Sequence, residues 1–395
     1  MTLFDHDIIR LDNAPAPHVH NSFTYINASA RPEMEAIRDL WESWFAEYPD
    51  DAKARMRERF RGAEYHSAAF ELYVHSLLLA HGYAVTVPAP EPGTSTEPLP
   101  DFSVTLTDGT VVDVEACGVH ADVPSPRIQH FQAEIADAIN ALSSPYLLRL
   151  RFPKLGNNQP AASQLGKRVA RWLQSDEFVH AVAEVWLSGG RTVTRRFDDA
   201  DWTIAVAADC EMPLDGDRSA KRSLGSVTTA ACVPNIVESI EKAVRKKARD
   251  YGERPRGLVV AVNAHATLCD ADDYAAALVG PMWSTISDPD GGVTTARRWG
   301  GAWFNGDGTV KNTRVSCVIG CSNVTPSTAL VDTPIVFHHP GAKRPANVIL
   351  SSLPSAQLIG ESFAIQPAGS VRALYCLHDD WPREEGFRTP VTGAV

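Results

Sequence analysis

Residues 101–119, DFSVTLTDGTVVDVEACGV, decide the fold. Asp108-Gly109 is the strongest short hairpin signal in the chain, and strand-like residues flank it on both sides. In the second arm Val111, Asp113, Glu115 and Cys117 share one face, and Val112, Val114 and Ala116 share the other, because successive strand side chains alternate. Two acids on one face destabilise a strand unless positive charge lies between them. A divalent cation, Mg2+ or Mn2+, would supply that charge, since Mg2+ prefers oxygen ligands and needs only one or two carboxylates. Register then decides whether Asp101 can join. A two-residue turn at Asp108-Gly109 pairs position 101 with 116 and turns Asp101 away from Glu115. A three-residue loop, or a bulge near Asp101, shifts the pairing by one and brings the two acids to one face. One of those irregularities is expected.

Working outward, EYHSAAFELYVHSLLLAH (64–81) reads as the clearest helix, stopped by Gly82. Phe70, Tyr73, Leu77 and Ala80 form its packed stripe, and Glu71 lies on an adjacent face with Glu64, His75 and Leu78. A carboxylate flanked by Phe70 and Leu72 needs a partner. Strands are expected over 83–89, 146–152, 201–209, 256–263, 314–322 and 333–339. Helices are expected within 31–61, and over 125–142 (capped by Ser125 before Pro126), 164–178 and 235–251, the last ended by Gly252. This alternation predicts an α/β fold with helices covering a sheet on both faces. The expected division is an N-terminal arm and helix (1–60), an α/β core (61–265) and a loop- and strand-rich region (266–395), in which 281–310 shows no period.

Glu71 on a helix, Pro100-Asp101 opening a strand and Glu115-Ala116 on the next strand resemble the PD-(D/E)xK nuclease superfamily. The order helix, three strands, helix, strand over 63–152 resembles its core. That resemblance implies a restriction-endonuclease-like mixed sheet flanked by helices, with an irregular C-terminal extension. It further implies Asp101, Glu115 and Glu71 as catalytic acids and metal ligands, Mg2+ or Mn2+ as cofactor, and DNA as the nucleic-acid partner. The implied activity is Mg2+-dependent endodeoxyribonuclease hydrolysis of phosphodiester bonds, in a setting of defence against foreign DNA. The superfamily lysine would stand at position 117, where this chain has Cys117. Cysteine supplies no positive charge, so either another base reaches the site, with Lys154, Arg149 and Arg127 as candidates, or the fold binds nucleic acid or a protein without cleaving. A ribonuclease is the further alternative.

The net charge of −11 argues against a protein coated in positive charge, though not against a local basic cleft. The densest basic segment is 242–256. Its Lys242, Arg245 and Arg249 share a helix face, which suits either phosphate contact or a solvated helix end. Gln129 and Gln132 could orient water or phosphate, or simply form polar helix surface. Trp283, Trp299 and Trp303 could stack on bases or anchor a loop. His18/His20 and His338/His339 lack ligand-spaced companions, and Cys317 and Cys321 read as buried hydrophobes. Seven scattered cysteines form no zinc or disulfide pattern. With no apolar leader at the N-terminus and no apolar run of membrane length, a cytoplasmic protein with no membrane partner is expected, and a homodimer is compatible.

Overall fold

The computed structural model describes residues 1–14, 16–18, 22–88, 99–120, 125–188, 190–213, 223–229, 236–251, 255–266, 269–286, 293–378 and 381–382. His20, Gly252 and residues 89–98 of the loop before Asp101 lie outside the described residues, as does Arg254 of the basic segment. The helices are α1 (Ser22–Ala28), α2 (Pro32–Ala46), α3 (Asp50–Arg61), α4 (Tyr65–Ala80), α5 (Pro126–Asn140), α6 (Ala162–Leu173), α7 (Asp176–Leu187), α8 (Ile236–Asp250), α9 (Ala271–Val279) and α10 (Val371–Leu374). The strands of the first half are β1 (Ala84–Thr86), β2 (Phe102–Thr105), β3 (Val111–His120), β4 (Tyr146–Lys154), β5 (Thr192–Asp199), β6 (Trp202–Pro213) and β7 (Leu224–Thr229). Those of the second half are β8 (Gly257–His265), β9 (Met282–Ile286), β10 (Val293–Arg297), β11 (Val315–Ser322), β12 (Ile335–His338), β13 (Ser355–Ile359) and β14 (Ser362–Gln366).

The chain forms two compact units. The first comprises residues 1–8, 32–121 and 235–395, and the second comprises residues 9–31 and 122–234. These units cut across the division expected from sequence. The main sheet continues past residue 265, from β8 to β11, so the C-terminal region supplies strands to it. Among the described residues no helix is long and apolar enough to cross a membrane.

In the first unit eight of the described strands make one mixed sheet in the order β1-β2-β3-β8-β11-β12-β13-β14, and β9 and β10 pair separately. The β3-β8-β11 centre is parallel, and the β1-β2-β3 edge is antiparallel. An unbroken apolar run marks the middle: Leu258, Val259, Val260, Ala261 and Val262 are all buried, as a strand covered on both faces requires. α8 packs Ile236, Ile240, Val244 and Ala248 onto this sheet at i, i+4 spacing. α4 is buried at every position from Ala68 to Leu78. It ends where expected, at Gly82, whose positive φ of 75° lets Gly82 and Tyr83 donate to the last carbonyls, Leu79 O and Leu78 O.

In the second unit β5-β6-β4-β7 form a four-stranded sheet, with Leu148, Leu150, Phe152, Ile204 and Val206 facing a core shared with α5, α6 and α7. The helix expected over 164–178 is two helices. Ser175 interrupts it, its side chain accepting from Phe178 N at 3.3 Å to cap α7. Pro49 likewise divides 31–61 into α2 and α3, and the strand expected over 83–89 is only Ala84–Thr86. The stretch without period contains the β9-β10 ladder.

Candidate functional site

The hairpin has the three-residue loop. Leu106 N–H donates to Thr110 O, and Gly109 N–H to Leu106 O, around Thr107, Asp108 and Gly109. Gly109 has φ +83°, a conformation that disfavours a side chain. The resulting register pairs Phe102 with Val114 and Ser103 with Asp113. One step further, position 101 stands opposite Glu115. The Asp101 carboxylate accepts from Ala116 N at 2.8 Å, extending the ladder by a side chain.

Glu115 is 2% exposed. Its two oxygens accept from Lys247 Nζ and the Tyr251 hydroxyl, both carried by the α8 segment that packs on this sheet. The same hydroxyl oxygen lies 2.9 Å from Leu99 O, the alternative acceptor for its one proton, at the approach to Asp101. Glu71, from α4, accepts from Tyr48 Oη at 2.8 Å and from Arg59 at 2.6 Å. A cleft of about 360 Å³ joins these elements; Tyr48, Arg55, Arg59, Glu71, Leu99 and Asp101 line it, and Glu115 does not. Burial, then the neighbouring charges of Glu115 and Glu71, push the Asp101 carboxyl up to about 7, against the opposing pull of the Ala116 N–H and Lys247. The three acids therefore share one electrostatic neighbourhood.

Asp113 does not belong to it. It accepts from Ser103 Oγ at 3.0 Å and lies 3.4 Å from Arg256. The positive charge expected between Asp113 and Glu115 is thus two separate bases, Arg256 and Lys247. Cys117 packs against the core beside β8, and burial pushes its thiol up to about 12. It stays protonated near neutrality and cannot replace a lysine.

The base missed by sequence reasoning is Lys247. Lys154, Arg149 and Arg127 belong to the second unit, where Arg149 pairs with Asp209 at 2.5 Å and Arg127 stacks over Phe131. A signal for Lys247 did exist. Val244, Lys247, Ala248 and Tyr251 follow i, i+3, i+4, i+7 spacing, so Lys247 borders the inward face of α8. The basic residues singled out on that helix are engaged elsewhere: Lys242 with Glu238 at 2.6 Å, Arg245 with Glu241 and Gly301 O, and Arg249 with Asp250 at 3.6 Å. Gln129 and Gln132 belong to α5 of the second unit. Trp303 is fully buried against His339, Trp299 tilts on Phe304, and Trp283 is exposed. His339 and Cys317 are buried in the first unit.

No family model, curated protein or solved structure matches the chain. Among the described residues no three His, Cys, Asp or Glu side chains gather closely enough to hold a metal ion by themselves. What the donor set does fit is a hard cation taking one or two carboxylates and completing its shell with water or phosphate. Asp101 and Glu115 are adjacent and mutually repelling, and their repulsion is what such an ion would relieve.

Proposed function

We propose that the first unit is a metal-assisted phosphodiesterase of the PD-(D/E)xK type acting on DNA, with a restriction-endonuclease-like core. The observation that carries this reading is the pairing of Lys247 with Glu115 beside Asp101. It supplies two carboxylates and an ammonium group although position 117 is cysteine. Asp101 and Glu115 would hold Mg2+ or Mn2+, with Glu71 bordering the cleft. When bound, such an ion lowers the pKa of water and neutralises charge on the scissile phosphate.

The chain's own groups do the rest. Lys247 and Tyr251 fix the orientation of Glu115, and the Lys247 ammonium provides positive charge where negative charge develops. Tyr48 and Arg59 fix Glu71. Arg55 lines the cleft with no partner among the described residues, which suits contact with a phosphate.

A second reading is favoured by one specific feature: both Glu115 oxygens are already occupied by Lys247 and Tyr251. A site locked in this way would serve a protein that binds nucleic acid, or a protein partner, without cutting. One experiment separates the two. Purified protein is incubated with supercoiled plasmid, single-stranded DNA and RNA in Mg2+, Mn2+ or EDTA. Cleavage of DNA that requires the metal and disappears in Glu115→Gln supports the nuclease. Preferential cleavage of RNA would reassign the substrate, and no cleavage under any condition overturns the proposal.

A further inference from the structure

The sheet of the second unit has a face turned away from its helices, and its charge is opposite to that of the chain as a whole. Strand pairing lays this face out in rows. Arg196 of β5 pairs with Ala205 of β6, which pairs with Arg151 of β4, which pairs with Thr228 of β7. The next row runs Thr194, Ala207, Arg149 and Ser226. Lys154 pairs with Thr203 beyond them. Arg149, Arg151, Lys154 and Arg196 are all exposed. Arg151, Lys154 and Arg196 have no ion-pair or hydrogen-bond partner for their side chains among the described residues. Arg149 is the exception, paired with Asp209 at 2.5 Å.

Among the described residues, four cations against two acids, Asp198 and Asp209, give this face an excess of positive charge in a protein of net charge −11. Three of these four cations have no partner among the described residues, and their concentration on one sheet face suits an extended external anion. The residues between them are Ala205, Ala207, Thr194, Ser226 and Thr228. These are short enough to admit a close backbone, and their hydroxyls are donors that phosphates accept. Strand spacing sets arginines on β4 and β5 roughly 10 Å apart across the sheet and about 7 Å apart along β4. That is a two-dimensional array of cations rather than a pocket for one small anion.

We propose that this face docks the phosphate backbone of duplex DNA. The rows described carry no aromatic side chain, so the face lacks the stacking platform on which single strands rely. Contact limited to phosphates carries no sequence information and is steeply salt-dependent. The inference stands apart from the metal-site reading, because binding needs neither a metal nor cleavage.

The test is fluorescence anisotropy of a labelled 30-base-pair duplex with the full-length protein in EDTA, titrated at several salt concentrations between 50 and 200 mM, on the order of the range over which phosphate contacts are lost. In Arg151→Glu/Arg196→Glu we expect at least a tenfold weaker Kd. The slope of log K against log salt should fall by about 2, since each phosphate contact contributes about 0.9. Arg151→Gln/Arg196→Gln, which adds no repulsion, should give the same change of slope. Lys242→Gln/Arg249→Gln on α8 should bind like the parent. A matching circular dichroism spectrum and Tm certify that the variants are folded. The inference is overturned if the parent does not bind duplex, if both sheet variants keep the parental slope, or if the α8 variant loses binding instead. Tighter binding of a single strand of the same sequence overturns the assignment to duplex.

Discussion

Glu115 is a buried acid whose charge is balanced by the Lys247 ammonium and whose other oxygen accepts from the Tyr251 hydroxyl, and removing either side of the ion pair has different consequences. Glu115→Gln keeps the shape but removes the charge. If the metal-assisted reading holds, cleavage should fall by at least a hundredfold in a plasmid-nicking assay. Lys247→Met leaves the Glu115 charge buried with only Tyr251 beside it, and should destabilise the protein by about 3 kcal/mol in urea unfolding. Pairing it with Glu115→Leu should recover most of that loss, as replacement of both partners of a buried pair does. Recovery of stability in that double variant would assign the loss in Lys247→Met to the unpaired buried charge. Asp101 carries the pH dependence. Its carboxyl is raised from 3.8 to about 7, so the folded protein holds a proton that the unfolded chain releases. The favourable contribution is therefore complete below pH 4 and lost as pH rises through about 7. In EDTA, Asp101→Asn should be more stable than the parent at pH 8, by on the order of 1–2 kcal/mol, and nearly equal to it at pH 4. Added Mg2+ should raise the Tm of the parent at pH 8 and leave Asp101→Asn unchanged. An Asp101→Asn variant no more stable than the parent at pH 8 would show that its neighbours do not crowd this acid.

The β2-β3 hairpin shows what the sequence made legible and where it stopped. Asp108-Gly109 located the turn, and the alternation of 111–117 located the strand. The need to bring Asp101 to Glu115 required the three-residue loop that the structure has. Those inferences are local, resting on turn chemistry and a period of two. By contrast, Lys247 is separated from Glu115 by 132 residues, and strand periodicity carries no information across such a distance. β5 and β7 were invisible for a related reason. On β5, Thr194, Arg195 and Arg196 put charge on both faces of the strand, with Arg195 stacked over Phe197 and paired with Glu177, so no clean alternation appears. Cys117 misled only in its role, since a buried thiol looks the same from sequence whether it faces a site or a core. The hairpin can be tested as an element. Deleting Ser103 within β2 should leave the loop in place, move Asp101 from opposite Glu115 to opposite Val114 and turn it away from that acid. Mg2+-dependent stabilisation and cleavage should both disappear while the circular dichroism spectrum stays parental. Retention of either would mean that register does not control the site.

At the scale of the molecule, two separate cores predict two separate failures. Ile240 belongs to the core of the first unit and Leu150 to that of the second, and both are fully buried. Ile240→Ala and Leu150→Ala should each cost about 2–5 kcal/mol. In calorimetry each should shift one of two transitions and leave the other in place. A single transition shifted equally by both would mean that the units unfold together. The larger segment of the second unit, residues 122–234, is also written into the middle of the first, between β3 and α8. A ribosome therefore releases Glu115 well before it releases Lys247. At about 5–20 residues per second, the 132 steps from Glu115 to Lys247 take roughly 7–26 s to translate. Throughout that interval the nascent chain carries an acidic strand without its basic counterpart, and β3 has no β8 to lie against. A polypeptide cut short anywhere in the insertion would be born without the ammonium group. For a protein whose finished form would cut DNA, synthesis itself would act as the safety catch.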